Sequence, residues 1–194
     1  MKKIPTLFKR EFANHEVVKI SPEVTEGLEF VLDGKCTPTM KWDGSCCALH
    51  NGKIYKRYDA KKGKKPPEGA IPCCDPDPVT GHWPHWVEVN CYDPSDKWFV
   101  EAFKNTFGDM QFREYDYWYT YEAIGKHFNG NPYGIDYDFL MPHGREYIDI
   151  EPDFESIKKF FETHIVEGLV FWKDGEPICK IKRSDFGLPW GNKK

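Results

Sequence analysis

Asn51-Gly52 restricts the fold of this chain more than any other feature. The pair lies between two runs of strand-forming residues, 46–50 (CCALH) and 53–58 (KIYKRY). In that setting it specifies a two-residue hairpin turn, because both turn positions need a positive φ that Asn and Gly tolerate. A two-residue loop puts Cys47 opposite Lys56 and Cys46 opposite Arg57. The hairpin thereby returns its basic end toward the Asp43-Gly44 turn that precedes it. Further strand signals occur at 115–124 (YDYWYTYEAI), 145–150 (REYIDI), 165–172 (IVEGLVFW) and 177–183 (PICKIKR). Two helices are predicted. One covers 95–107, with Ser95 as a candidate N-cap and Trp98, Phe99, Ala102 and Phe103 at helical spacing; the other covers 153–164, with Phe154, Ile157, Phe160 and Phe161 on one stripe. Residues 61–85 are rich in Pro, Gly and Lys and read as a long loop. No repeat, low-complexity tract or linker divides the chain, so one domain over 1–194 with an α+β fold on antiparallel sheet is the economical expectation.

A chain of 194 residues can bury a substantial core, and 16% aromatic content supplies large flat side chains for that core or for a site. No run approaches the roughly 18 apolar residues of a membrane span, and the first residues, MKKIPTLFKREF, lack a signal-peptide core. A soluble, cytoplasmic protein is expected. Seven cysteines, four of them in the adjacent pairs Cys46-Cys47 and Cys73-Cys74, suit reduced thiols better than a disulfide framework.

The net charge of −4 argues against a general nucleic-acid coat, but the charges are unevenly spread. Residues 53–65 carry seven Lys or Arg against one Asp, and the final stretch CKIKRSDFGLPWGNKK is also basic. Local basic surface on an acidic protein is the electrostatic mark of a polyanion site.

The short stretch KWDG places Lys41 directly before the Asp43-Gly44 turn. A nucleophilic lysine must first lose its proton, which at an ordinary pKa near 10.4 it rarely does at neutral pH; neighbouring cations ease that loss, and the hairpin offers Lys56 and Arg57. Near the end of the chain, CKIKR puts Lys180 and Lys182 on one face of a strand with Ile181 on the other. Two ammonium groups side by side call for an anion between them, and a phosphate is the natural candidate. Glu167 sits in the apolar run VEGLVFW, where a carboxylate needs a cation or a metal. Glu122 ends an aromatic strand just before a Gly-rich turn.

Taken in order, Lys-x-Asp-Gly, a basic hairpin, Glu-x-x-Gly, Glu-Gly-Leu-Val and Lys-x-Lys resemble the covalent nucleotidyltransferase superfamily of ATP-dependent ligases and capping enzymes. The likeness spans residues 39–182. It implies an ATP-grasp-like adenylation domain of antiparallel sheets flanked by helices, using ATP with Mg²⁺ or Mn²⁺. By this resemblance Lys41 would attack the α-phosphate to give a lysyl-nucleotide, Glu122 would bind the ribose, and Glu167 would contact the nucleotide or the metal. Lys180 and Lys182 would hold the α-phosphate. Gly44, Lys56 and Arg57 would face the nucleotide or a substrate 5′-phosphate, Thr39 and Met40 would offer backbone to the purine edge, and Phe139 would stack on it.

Only 12 residues follow Lys182, too few for the OB-fold domain that DNA ligases and capping enzymes carry. The stretches KIPTLFKREF, TPTMKWDGSCCAL, DPVTGHWPHW and NGNPYG…MPHG are similar to compact 5′-3′ RNA ligases. That resemblance implies a monomeric RNA-repair enzyme joining 5′-phosphate and 3′-hydroxyl RNA ends through lysyl-AMP and an RNA-adenylate. DNA nick sealing or guanylyl transfer is the alternative enzyme reading, and a non-catalytic nucleotide- or RNA-binding module is the reading from another class. Cys73, Cys74, His82, His85 and Cys91 are zinc-compatible types without C-x-x-C spacing; a loop packed by Trp83 and Trp86 is the simpler expectation. His127 and His143 are assigned to local hydrogen bonding.

Overall fold

The computed structural model describes residues 3–13, 16–61, 63–108 and 117–191. The elements run β1 (Phe8–Ala13), β2 (Glu16–Val24), β3 (Thr37–Lys41), β4 (Ser45–His50), β5 (Lys53–Ala60), β6 (Ile71–Pro72), β7 (Trp83–Glu88), α1 (Lys97–Phe107), β8 (Tyr119–Ile124), β9 (Phe139–Pro142), α2 (Phe154–Thr163), β10 (Gly168–Lys173) and β11 (Glu176–Lys182). The fold is α+β, with antiparallel sheets and few helices. The chain divides into two compact units: Asp43–Pro142, and Lys3–Trp42 together with the chain from His143 onward.

The Asp43–Pro142 unit is a six-stranded sheet in the order β6-β7-β5-β4-β8-β9. Its centre is the Asn51-Gly52 hairpin. Asn51 (φ 46°) and Gly52 (φ 74°) both take the left-handed conformation, and Cys47 pairs with Lys56 as the two-residue loop requires. Cys47, Ala102, Ala123 and Leu140 are buried where Trp98, Phe99 and Phe103 of α1 pack on the sheet. The predicted helix starts two residues later than Ser95. Asp93 accepts from the Ser95 amide at 2.8 Å, capping a short 3₁₀ turn that opens with Pro94 and leads into α1. A carboxylate followed by proline suits a helix start better than serine two residues on. β7 occupies the end of the stretch expected to be loop, because Trp86 and His85 are buried and pair with Arg57 and Tyr58 of β5. In the predicted strand at 115–124, residues 115 and 116 lie outside the described residues, and β8 forms the rest from Tyr119.

In the second unit β3, β10 and β11 form a sheet with β10 in the middle, and β1 pairs with β2. Leu169, Phe171, Cys179 and Ile181 alternate inward and are fully buried with Leu7, Phe8, Val31, Ile157 and Phe161. α2 supplies Ile157 and Phe161 from its apolar stripe, and the Asp153 side chain accepts from the Ser156 amide at 2.9 Å to start the helix. The segment 145–150 makes no full strand. It touches β3 through the Thr39–Tyr147 bridge, the Met40 amide donating to Glu146 O at 2.8 Å and the Ile148 amide donating to Pro38 O at 3.0 Å. Only Ile148 and Ile150 of this run pack against the core, which is too little apolar surface to hold a longer pairing.

Candidate active site

Register builds the site in the second unit. Gly168 of β10 lies between Lys41 of β3 and Lys182 of β11, so the two lysines flank one glycine across three strands. Cross-strand partners share a face. Thr37, Thr39, Lys41, Val170, Trp172, Lys180 and Lys182 therefore stand on the face opposite the core residues Leu169, Phe171 and Ile181. The close approach depends on the glycine. A Cβ at 168 would clash with the Ile181 carbonyl oxygen and lie 3.1 Å from the Lys182 Cα. Gly168→Ala is expected to cost about 1–3 kcal/mol, the usual penalty of overpacking, as measured by urea denaturation.

Glu167, 4% exposed, is the electrostatic centre of this face. One carboxylate oxygen takes the Lys41 ammonium and the other takes Lys182 Nζ at 2.6 Å. The buried carboxylate thus meets the need for a cation partner with two of them. A second acid, Asp185, accepts from the Lys182 amide at 2.8 Å and from Arg10 Nη2 at 2.7 Å, which fixes where β11 ends. Lys180 is clamped through its backbone. Its amide donates to Pro5 O at 3.0 Å, and its carbonyl accepts from the Leu7 amide at 2.8 Å. Three lysines thus gather at this face around the buried Glu167, with the Arg10–Asp185 pair adjoining Lys180 and Lys182, a centre suited to a polyanion.

Lys180 registers that excess of positive charge. Burial, and then the cations Lys41, Lys182 and Arg10, bring its pKa down to about 8 against an ordinary 10.5. The folded value lies below the unfolded one, so between about pH 8 and 10.5 the unfolded chain holds the extra proton. The contribution of Lys180 to stability therefore rises with pH across that window and is most unfavourable below it. The melting-temperature difference between Lys180→Met and wild type is expected to favour the variant at pH 7 and to shrink toward pH 10.

Thr39 and Met40 prepare the strand that leads to Lys41. Thr39, 1% exposed, donates its hydroxyl to Val170 O at 3.3 Å and accepts from Trp172 Nε1 at 2.9 Å. The half-buried Met40 is tied through its amide to Glu146 O.

The other predicted residues belong to the Asp43–Pro142 unit. The Gly44 amide donates to Glu122 Oε1 at 3.1 Å, and a Cβ at 44 would run into the Ala123 carbonyl, so the turn needs glycine to approach β8. Asp43 is tied on both sides: its amide donates to the Tyr133 hydroxyl at 2.6 Å, and its carboxylate accepts from Asn129 Nδ2 at 2.6 Å. Lys56 is engaged by Asp96, a buried carboxylate that also accepts from the Asn90 amide at 3.0 Å. Arg57 donates to Asp59 at 2.8 Å. Phe139 lies half-buried on β9 opposite Ile124, its ring 5.5 Å from that of Tyr137.

The seven cysteines are all free, and burial pushes the Cys46 and Cys179 thiols up to about 12, so both stay protonated and inert. Among the described residues Cys73, Cys74, His82, His85 and Cys91 do not converge on one metal position. His127 meets the buried Asp138 at 2.6 Å and stacks on Trp98, in line with local hydrogen bonding.

Sequence reasoning did not find Arg10, Asp185 or the packing role of Gly168. The signal for the last was its place directly after Glu167 in the Glu-Gly-Leu-Val motif. No protein-family model matches the chain. A region of 81 residues is 37% identical to RNA ligase 1 of Danio rerio, covering 37% of this chain and 25% of that protein. The match thus spans about a quarter of that relative's length. Among the described residues no helix is long and apolar enough to cross a membrane.

Proposed function

We propose that this chain is an ATP-dependent RNA ligase that uses Lys41 as its nucleophile. The observation that carries the reading is Lys41 in Lys-Trp-Asp-Gly, held with Lys182 on the single buried carboxylate of Glu167. The partial likeness to a protein named RNA ligase 1 supports the choice of substrate class.

In the first step the neutral Lys41 amine attacks the α-phosphorus of ATP. The Nζ–P bond forms, the bond from the α-phosphorus to the bridging oxygen breaks, pyrophosphate leaves, and the amine proton passes to solvent. Lys180 and Lys182 offset the charge that develops on the α-phosphate. In the second step the 5′-phosphate of an RNA end displaces Lys41 and takes the AMP. In the third a 3′-hydroxyl attacks the activated phosphate, a phosphodiester forms, and AMP departs. None of these steps asks much covalent work of other side chains, so positioning and electrostatics supply the rate.

The resemblance assigns Glu122 to the ribose, Thr39, Met40 and Phe139 to the purine, and Gly44, Lys56 and Arg57 to the nucleotide or the RNA 5′-phosphate. Lys56 must leave Asp96 to take that part. Glu167, which the resemblance places at the metal, holds one ammonium on each oxygen, so a divalent cation there would share those oxygens with the lysines or displace one of them. A Mg²⁺ ion entering with the triphosphate would rest mainly on phosphate oxygens and water, as that ion commonly does. Intact mass spectrometry after incubation with ATP tests the proposal. A gain of one AMP, lost again on adding 5′-phosphorylated RNA as ligated product appears, supports it; an unchanged mass refutes it.

A further inference from the structure

The face that carries Lys41 continues along the sheet into a cleft of about 480 Å³ beyond Thr37 and Trp172. Thr37 stands opposite Trp172 and four residues before Lys41, so the cleft begins about 13 Å along the strand from the nucleophile. Its walls come from three places in the sequence: Lys35, the loop with Arg145 and Tyr147, and the β10–β11 turn with Lys173 and Asp174. The floor is rigid. Trp172 is pinned by its hydrogen bond to Thr39, and Gly144 lies flat on the indole, where a Cβ would come within 3.0 Å of the ring. The rim carries three cations against Asp174. Lys35 reaches Asp33 at 2.8 Å, Lys173 sits over the Phe30 ring at 5.0 Å, and Arg145 has no hydrogen-bond or ion-pair partner among the described residues. Beside Arg145, Tyr147 is 64% exposed and makes no ring contact with another described aromatic.

An exposed aromatic next to an unpartnered guanidinium, with further cations along the rim, is the chemistry that holds a single nucleic-acid strand. Bases stack on the ring whatever their identity, and phosphates meet the cations. We infer that this cleft binds one nucleotide unit of the single-stranded RNA whose 5′-phosphate takes the AMP from Lys41, with its base on Tyr147 and its phosphate on Arg145 and Lys173. The inference rests on the ligase reading above for the identity of the strand.

The test uses the full chain and a fluorescent 5′-phosphorylated single-stranded oligoribonucleotide. Anisotropy gives affinity at several salt concentrations, and intact mass gives the rate of AMP-adduct formation with ATP in the same preparations. Tyr147→Ala is expected to weaken RNA binding roughly tenfold, the size of one lost base stack, whereas Tyr147→Phe keeps it. Arg145→Ala is expected to weaken binding and to lower the slope of log affinity against log salt by about one, as one lost phosphate contact does. Neither change is expected to alter adduct formation with ATP. Unchanged RNA affinity in both alanine variants overturns the inference. So does a slowed adduct rate, which would assign the cleft to the triphosphate instead. A wild-type protein that forms no adduct but binds RNA with these sensitivities would remove the ligase reading and leave the cleft standing. An active wild type with insensitive RNA binding would do the reverse.

Discussion

Lys41→Ala is expected to abolish the AMP adduct completely and, with it, all sealing of 5′-phosphorylated RNA. Only one primary amine stands in the Lys-x-Asp-Gly turn, and the chemistry needs a nitrogen that can form a bond to phosphorus and later release it. Loss of charge alone does not predict so complete an effect, since Lys180 and Lys182 would still offer their cations to the triphosphate. RNA that already carries a 5′-adenylate bypasses the lysine, so the variant is expected to join such ends at a residual rate. The variant should stay folded but melt below the wild type, because Glu167 keeps Lys182 as one of its two partners. Intact mass spectrometry of wild type and variant, paired with ligation of pre-adenylylated RNA, checks both halves. An adduct of full intensity in the variant would remove Lys41 from the reaction.

Local features of this site were legible in the sequence, and long-range ones were not. The Asn51-Gly52 turn fixes the register of its own hairpin, so the pairing of Cys47 with Lys56 follows from two turn residues and the period of a strand. The same period places Lys180 and Lys182 opposite Ile181, and an apolar strand around Glu167 implies that its charge is matched. What a linear reading cannot supply is which cation does the matching. Lys41 and Glu167 are 126 residues apart, joined only once β3 and β10 pair. The hairpin cation Lys56, close to Lys41 in sequence, is taken by Asp96, 40 residues away. The cations near Lys41 within its own unit instead come from β11, as Lys180 and, through their shared Glu167, Lys182. The N-terminal pair β1 and β2 left little strand signal. FKREFA and EVVKISPEV mix charge into their alternation, and their pairing carries two irregularities of register. The loop over 61–85 was half legible: Pro, Gly and Lys mark its turns, while Trp86 and His85 are buried for reasons that lie in β5.

The two lysines of β11 are expected to separate activity from stability. Both stand on the face of Lys41, and each alanine variant should lose roughly 10²-fold or more in adduct formation, the scale of removing one preorganised donor from developing negative charge. Their resting states differ. Lys182 is bound to the 4%-exposed Glu167 and anchored through its amide to Asp185, so Lys182→Ala takes away one of two partners of a buried carboxylate and should lower the melting temperature. Lys180 makes no side-chain hydrogen bond or ion pair among the described residues. It is held among Lys41, Lys182 and Arg10 with its pKa brought down to about 8. Lys180→Ala relieves that repulsion, so at pH 7 the variant should melt at or above the wild-type temperature while forming the adduct far more slowly. A cation kept in an unfavourable place until an anion arrives is strain stored for function, and its removal trades activity for stability. Lys182→Arg should rescue poorly, because a planar fork does not replace a compact ammonium between a carboxylate and a phosphate. Ile181→Asp, turned into the core, should fail by unfolding. Single-turnover adduct formation beside thermal melts by circular dichroism reads both properties. Wild-type rates in both alanine variants would sink the assignment, and so would a Lys180→Ala protein whose activity falls only in step with its folded fraction.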